Sequence, residues 1–416
     1  MKASVLNLGC KVNQAESSQI EANLRSAGWS IVELSEGPEL CVINTCSVTS
    51  KSDYQSRQLI RRAHRAGARI LVTGCYSELN AGDVSVMSGV TRVIRNSEKA
   101  AFINELAGNR ENSFDYGVRA RSRAFLKIQD GCNYSCTYCI IPKARGRSKS
   151  VSPDSVISQA EKLSLMYHEI VLTGIHLGTY GYDLNPKVKL SDLTKALLHT
   201  SIKRIRLSSL EINEIDDDLI ELLAEERVCS HLHMPLQSGS DRILKLMNRS
   251  YDSLTFMRRL QEIREKLPGI SIGTDVIVGF PGEDVKDFSD TYSLIESLPF
   301  SYLHVFPYSP RPGTRAAAFE TQISPDMKKD RCYRLAQLGR EKRYSFMNQQ
   351  LGTVLDTLIE KTSADGRSVG TTANYLKVTA VLERTVPGEI VRIRIVGHDG
   401  ERLLGTSDES LLSHCI

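Results

Sequence analysis

Along the chain, the spacing of apolar and polar positions changes character twice. At the start, Ala3-Ser4-Val5-Leu6-Asn7-Leu8, Leu40-Cys41-Val42-Ile43-Asn44 and Arg69-Ile70-Leu71-Val72-Thr73 are short apolar runs that predict buried strands. They end at Gly9-Cys10, Thr45-Cys46 and Gly74-Cys75. Between them, Ser17 to Ala27 carries Ile20, Leu24 and Ala27 on one helical face with Gly28 as a stop, and a polar helix carries Leu59, Ile60 and Ala63. Strand and helix in alternation predict a parallel sheet covered by helices, assigned to a domain over residues 1–112.

After a polar connector near Ala107 to Ala120 the alternation lengthens. Strands are predicted at Phe125 to Ile128, Glu169 to Leu172, Arg204 to Ser208, His231 to Leu236, Ile270 to Val278 and Tyr302 to Tyr308. Helical spacing lies between most of them: Val156 to Met166, Leu190 to His199, Asp217 to Ala224, Tyr251 to Lys266 and Asp284 to Glu296. The expected fold is α/β, with a partial (β/α)6 barrel over residues 118–348 whose active face lies at the C-terminal ends of its strands. Beyond a Lys-, Arg- and Gln-rich helix from Lys328 to Gln350 the period drops to two, at Leu376 to Val381 and Val391 to Ile395. Turn signals at Ala364-Asp365-Gly366, Pro387-Gly388 and Asp399-Gly400 separate these runs, so residues 351–416 predict a small antiparallel β-barrel.

Composition narrows the class. A chain of 416 residues exceeds what one core organises, and 41% hydrophobic with 25% charged residues is ordinary for a soluble globular protein. Ten cysteines without an N-terminal apolar signal segment argue against a secreted disulfide framework and for a reducing cytoplasm. No run approaches the roughly 18 apolar residues of a membrane helix. The net charge of +4 matters only where it is clustered: Arg119, Arg121, Arg123 and Lys127, then Lys143, Arg145, Arg147 and Lys149, and Arg57, Arg61, Arg62 and Arg65. These predict a groove of phosphate contacts, although a charge run is as often a solvated face.

The chemistry-bearing stretch is Gly131-Cys132-Asn133-Tyr134-Ser135-Cys136-Thr137-Tyr138-Cys139, a CxxxCxxC triad directly after a predicted strand. Three thiolates leave one coordination position open on a soft metal centre, whereas a structural zinc site or a fully ligated cubane takes four. A zinc knuckle completed by a distant ligand is the alternative. Cys10, Cys46 and Cys75 each fall just past a strand, on the carboxyl edge where open α/β sheets bind ligands, and are candidates for a second three-thiolate centre. Three buried free cysteines would be the plain reading; Cys41, inside a strand, is read as core. The barrel strand ends add Gly174, Glu211, Gln237, Asp275 and the turn Gly279-Phe280-Pro281-Gly282. Glycine permits close approach, and a carboxylate accepts from hydroxyl or ammonium groups. His176, His231 and His233 are read as hydrogen-bonded pocket walls, with no metal role.

The CxxxCxxC triad with an aromatic residue before its last cysteine, here Tyr138, resembles the radical S-adenosylmethionine (SAM) superfamily. The resemblance implies a [4Fe-4S] cluster on Cys132, Cys136 and Cys139 whose open iron takes the amino and carboxylate groups of SAM, and electron transfer that generates a deoxyadenosyl radical. It places Tyr138, Gly174, Glu211, Gln237 and Asp275 near SAM, with Gly174 at the methionine end and Glu211 or Gln237 at the ribose. Relatives often carry proline after that glutamate, where this chain has Ile212.

Leu8-Gly9-Cys10-Lys11-Val12-Asn13-Gln14, Asn44-Thr45-Cys46 and Thr73-Gly74-Cys75 extend the likeness over the whole chain, which resembles the methylthiotransferases. That family implies a second [4Fe-4S] cluster on Cys10, Cys46 and Cys75 where sulfur is presented, and a C-terminal TRAM domain that holds tRNA. Lys11-Val12 looks like the branch that thiomethylates C2 of N6-threonylcarbamoyladenosine at position 37, in the anticodon stem-loop. Isopentenyladenosine, a ribosomal protein, or a non-catalytic iron–sulfur protein that binds RNA or senses redox state are the competing expectations. An electron donor such as flavodoxin or ferredoxin and a sulfur donor are implied as partners.

Overall fold

The computed structural model describes residues 1–107, 122–382 and 385–407. Arg119, Arg121 and most of the predicted connector lie outside them. Five strands form the first sheet: β1 (Lys2–Asn7), β2 (Ser30–Ile31), β3 (Leu40–Thr45), β4 (Arg69–Gly74) and β5 (Val90–Val93). All pair parallel, in the order β2-β1-β3-β4-β5, which adds a strand at each edge to the three expected from sequence. The edge pair are two and four residues long and only partly buried, too short and too polar to register as apolar runs. Helices α1 (Lys11–Ser26), α2 (Ser50–Arg65), α3 (Cys75–Leu79), α4 (Ala81–Ser85) and α5 (Lys99–Ala107) complete this part.

The spacing predicts α1 from Ser17; the structure begins it at Lys11, immediately after Cys10. The missed first turns bury Asn13 and Glu16 beside Val12 and Ala15, so polar residues interrupt the apolar stripe that marks a helix face. Those buried polar residues belong to the site described below.

Six parallel strands follow: β6 (Ala124–Lys127) and, after a two-residue ribbon β7 (Gln129–Asp130) with β8 (Lys149–Ser150), β9 (Glu169–Thr173), β10 (Arg204–Leu207), β11 (His231–His233), β12 (Ser271–Val278) and β13 (Tyr302–Pro307). They form two three-stranded sheets, β6-β9-β10 and β11-β12-β13, joined by a seam where Cys229 N donates to Ile205 O (2.8 Å) and Leu210 N to His233 O (3.0 Å). The barrel is therefore open, as predicted. Helices α6 (Ile141–Arg145), α7 (Pro153–Ser164), α8 (Leu190–Leu197), α9 (Asp217–Leu222), α10 (Asp241–Leu246), α11 (Ser253–Lys266) and α12 (Val285–Ser297) accompany the strands. Ile170, Leu172, Ile205, Leu207, Leu232, Ile272 and Val276 face the helices in one continuous core, which leaves the alternate residues Glu169, Arg204, Arg206, His231, His233, Asp275, Tyr302 and His304 to the lumen.

Helix α13 (Pro325–Asn348) leads into a closed barrel of β14 (Val354–Thr362), β15 (Arg367–Thr372), β16 (Lys377–Val381), β17 (Ile390–His398) and β18 (Leu403–Ser407), consistent with a TRAM-like module. Its β15–β16 turn seals the floor of the large barrel. Arg204 donates to Thr371 O (3.1 Å) and Asp356 O (3.0 Å), Arg206 donates to Thr372 O and Ala373 O (both 3.0 Å), and the Tyr375 ring lies 4.4 Å from that of His231. Among the described residues no helix is long and apolar enough to cross a membrane.

Candidate active site between two cysteine triads

The turns that follow β1, β3 and β4 meet. A Cβ on Gly9 would sit 2.8 Å from Cys46 Cβ and 2.9 Å from Cys46 Sγ, and one on Gly74 would sit 2.3 Å from Thr45 O; both glycines hold positive φ. Glycine before Cys10 and Cys75 is thus what lets the ends of adjacent strands close on Cys46. Asn13 fastens the group, donating to Leu8 O (2.7 Å) and Thr45 O (3.0 Å), while Asn44 donates to Asn13 O (3.0 Å). Cys10 is exposed, whereas Cys46 and Cys75 are buried. Cys41 lies in the core, where burial pushes its thiol up to about 12.

Cys132, Cys136 and Cys139 occupy the loop beyond β7, and α6 starts two residues after Cys139. That helix carries Arg145, which joins the two triads. Its Nε donates to Cys75 Sγ (3.4 Å), its Nη1 to Glu16 Oε1 (2.9 Å) and Asp130 Oδ1 (2.9 Å), and its Nη2 to Asn13. Burial by itself would lift the Glu16 carboxyl, but Lys99 (2.7 Å), Arg145 and Lys127 (2.8 Å) hold it well below the usual carboxylate range. Arg123 is likewise paired with Glu169 and Glu360. The expectation that Arg123, Lys127 and Arg145 present charge to a polyanion is therefore corrected: they are internal ion-pair partners, and the charge runs conceal this because, Asp130 apart, their carboxylates lie far away in sequence. Arg147 and Lys149 are exposed, as are Arg61, Arg62 and Arg65. Lysine in place of Arg145 cannot reproduce its fork. Arg145→Lys is expected to lower the unfolding free energy by about 3 kcal/mol, read by urea denaturation; a loss below about 1 kcal/mol would show that the contact is peripheral.

Cys132 Sγ lies 3.3 Å from His176 Nδ1, and His176 Nε2 lies 2.5 Å from Glu214 Oε1. His176 is thus a bonded wall of the cluster loop. Arg249, which the sequence reading missed, donates to Cys136 Sγ (3.4 Å) and Tyr138 Oη (3.4 Å) and pairs with Glu211. Glu211 consequently faces the triad through a guanidinium. Gln237 is buried with a positive φ, its N donating to Asp275 O (2.9 Å) and its O accepting from Ile277 N (2.9 Å). Gly174 packs on Gln129: a Cβ there would meet Gln129 Oε1 at 2.8 Å, and Gln129 in turn donates to Gly131 O (2.7 Å) and Ser148 Oγ (2.9 Å). Asp275 lies deeper, in the lumen, its Oδ1 3.0 Å from His233 Nε2 and 3.1 Å from His304 Nδ1. Those three side chains bring ligand atoms within 4.8 Å of one another. The Lys11 ammonium acts on the same carboxylate from beyond ion-pair distance, and a nearby positive charge disfavours a cation there. Burial brings the Lys11 ammonium down to about 8, with Arg206 and Arg123 adding to the shift.

The donor sets suit clusters better than zinc. Among the described residues neither cysteine triad draws all its sulfurs within 4.8 Å of one another, whereas four Zn–S bonds of about 2.3 Å in a tetrahedron place sulfurs about 3.8 Å apart. Burial pushes the Cys46 thiol up to about 11 and the Cys139 thiol up to about 12, so binding a soft centre has to displace protons from both sites. A large cleft of about 650 Å³ lies between α1, α5, β6 and α7, but no cysteine lines it.

Fold and site together define a radical SAM protein with a second, N-terminal three-cysteine edge. Residues 126–295 match the radical SAM superfamily and residues 2–94 match the uncharacterized protein family UPF0004. The chain is 39% identical to the threonylcarbamoyladenosine tRNA methylthiotransferase MtaB of Bacillus subtilis over 94% of its length and 92% of the relative's. It is 35% identical to the Aquifex aeolicus MtaB over 95% and 100%. A radical SAM methyltransferase, TsrM from Kitasatospora setae, shares the fold with a TM-score of 0.57 at 13% identity, over 76% of this chain and 77% of that one. The chain belongs to the radical SAM methylthiotransferase family.

Proposed function

We propose that the chain is a tRNA methylthiotransferase that adds a methylthio group to C2 of N6-threonylcarbamoyladenosine at position 37 of the anticodon stem-loop. The single observation behind this reading is the bridge from one triad to the other: Arg145, on the helix that follows Cys139, contacts Cys75. The helix that follows the first triad is thereby tied to the second, within a chain that matches the B. subtilis threonylcarbamoyladenosine enzyme along nearly its full length. Cys132, Cys136 and Cys139 would hold the cluster that binds SAM, and Cys10, Cys46 and Cys75 a second one. Together the two clusters and SAM supply one-electron chemistry and sulfur, which an aromatic C–H without useful acidity near neutral pH requires.

The rest falls to the chain's own side chains. Arg249 and His176 orient the loop of the first triad; Gln129 braces it from below; Asn13 and Asn44 fix the second. Tyr138, Glu211 and Gln237 would meet SAM, with Glu211 or Gln237 at its ribose. Exposed Arg61, Arg62, Arg65, Arg147 and Lys149 would take RNA phosphates, with the C-terminal barrel as a second handhold. The setting is cytoplasmic, with a flavodoxin or ferredoxin as electron donor and a separate sulfur donor. Deleting the gene should remove 2-methylthio-N6-threonylcarbamoyladenosine from total tRNA nucleosides, and restoring it should bring the nucleoside back. Loss of a methylthio group from another adenosine, or from a ribosomal protein alone, would overturn the reading.

A further inference from the structure

Lys11 is the first residue of α1 and directly follows Cys10. Consecutive α-carbons are about 3.8 Å apart, so the chain itself delivers this side chain beside the N-terminal triad. Its Nζ stands 6.0 Å from the centre of the Tyr375 ring, and its charged neighbours are Arg206, Arg123, Glu169 and Asp275. The other enclosed cations nearby are already engaged. Arg204 and Arg206 grip Glu169 and the carbonyls of the β15–β16 turn, Arg123 pairs with Glu169 and Glu360, and Lys99, Lys127 and Arg145 share Glu16. Among the described residues the Lys11 side chain is given no hydrogen bond or ion pair by the structure, only its distant approach to the Tyr375 face.

A second polar atom of the same chamber is also unsatisfied: His231 Nδ1 is buried and has no hydrogen-bond partner. Its ring lies against Tyr375, the residue that Lys11 overhangs. A charged group withdrawn from water without a counter-ion is costly until an anion reaches it. Around Lys11 the carboxylates are already engaged: Glu169 answers Arg204, Arg206 and, together with Glu360, Arg123, while Asp275 is bonded to His233 and His304.

We propose that Lys11 is a specificity-determining residue that receives the carboxylate of an acid-bearing N6 substituent on the substrate adenine. This rests on the substrate reading above and supplies its physical basis. In adenine, C2 and C6 flank N1, so a base that turns C2 toward the Cys10, Cys46 and Cys75 edge projects its N6 substituent from the same side of the ring. The neighbouring wall on that side begins with Lys11. A threonylcarbamoyl group ends in a carboxylate, the anion that a lone ammonium binds through a charge-assisted hydrogen bond. A hydrocarbon substituent would leave the ammonium unpaired, so the same residue also disfavours uncharged substrates.

The test compares two anticodon stem-loops, one bearing N6-threonylcarbamoyladenosine and one in which its threonyl carboxylate is the methylamide. Reconstituted wild type, Lys11→Met and Lys11→Arg are each assayed for kcat/KM of methylthio formation and for equilibrium binding of both RNAs. Wild type is expected to favour the acid by about 10- to 100-fold. Lys11→Met should bring that ratio close to one by losing on the acid alone, and Lys11→Arg should keep most of it. The ratio is taken within each protein, so a variant with reduced cluster content still reports it. A Lys11→Met ratio equal to that of wild type would overturn the proposal. So would an equal loss on both RNAs, the signature of a phosphate contact. If wild type cleaves SAM but modifies neither RNA, the substrate reading fails and the assignment of Lys11 falls with it.

Discussion

Cys46→Ala is expected to abolish methylthio transfer, to below about one thousandth of wild type, while 5′-deoxyadenosine still forms on reduction with SAM. Cys136→Ala should abolish both. The contrast follows from placement. Cys46 is buried just past β3, where it meets Gly9 and its carbonyl accepts a hydrogen bond from Ser56 Oγ (3.1 Å); among the described residues no hydrogen bond is recorded between it and the CxxxCxxC loop. Cys136 touches Arg249, which also holds Tyr138 and Glu211. Removing one thiolate from a three-thiolate set leaves too few protein ligands to retain a cluster with an open iron. If the chain holds two centres, as proposed above, iron and sulfide content of the purified variants should fall by about half in each case. Loss of deoxyadenosine formation in Cys46→Ala would mean that the two sites do not act separately.

Glu169→Gln carries the second large effect, on stability. The Glu169 carboxylate is fully buried and answers Arg204 (2.5 Å), Arg206 (3.1 Å) and Arg123 (3.3 Å). Burial opposes its charge, yet those guanidiniums hold its pKa far below the ordinary carboxylate value. Glutamine would leave three enclosed cations facing one another, and breaking a buried pair in this way costs about 3–5 kcal/mol. Arg204 and Arg206 also hold the β15–β16 turn, so amide exchange at residues 371–376 should accelerate in the variant. In wild type the unfolded chain takes up this proton at higher pH than the folded one does. The stabilisation is therefore complete above the unfolded carboxylate pKa of about 4.3 and fades as pH falls toward the depressed folded value. Glu169→Gln should flatten that acid limb. A urea midpoint unchanged at pH 7 would refute the assignment.

The placement of Asp275 bears on how its role is tested. The sequence reading assigns Asp275 to SAM, and its carboxylate lies between His233 and His304 in the lumen. On the proposed reading that position would serve the substrate's N6 substituent or the cofactor. The Lys11 experiment discriminates between charges and does not depend on which of the two Asp275 meets.

The amino-acid sequence by itself determined the alternation of elements and both cysteine triads. Buried strands must be apolar, and the turns that bear Cys10, Cys75 and Cys132 need a residue free to take positive φ, so Gly-Cys pairs at strand ends were visible without coordinates. It could not reveal which charges were spent internally. Arg145 looks like a surface arginine until Glu16, Asp130 and Asn13 close around it, and those partners stand 129, 15 and 132 residues away. The first turns of α1 were missed for the same reason, since burying Asn13 and Glu16 breaks the hydrophobic period. Only the tertiary structure decided that the C-terminal barrel plugs the floor of the large one and that Lys11 reaches the lumen without a direct ion pair. Periodicity reports whether a side chain avoids water, whereas the partner of a buried charge is fixed by the folded path of the chain.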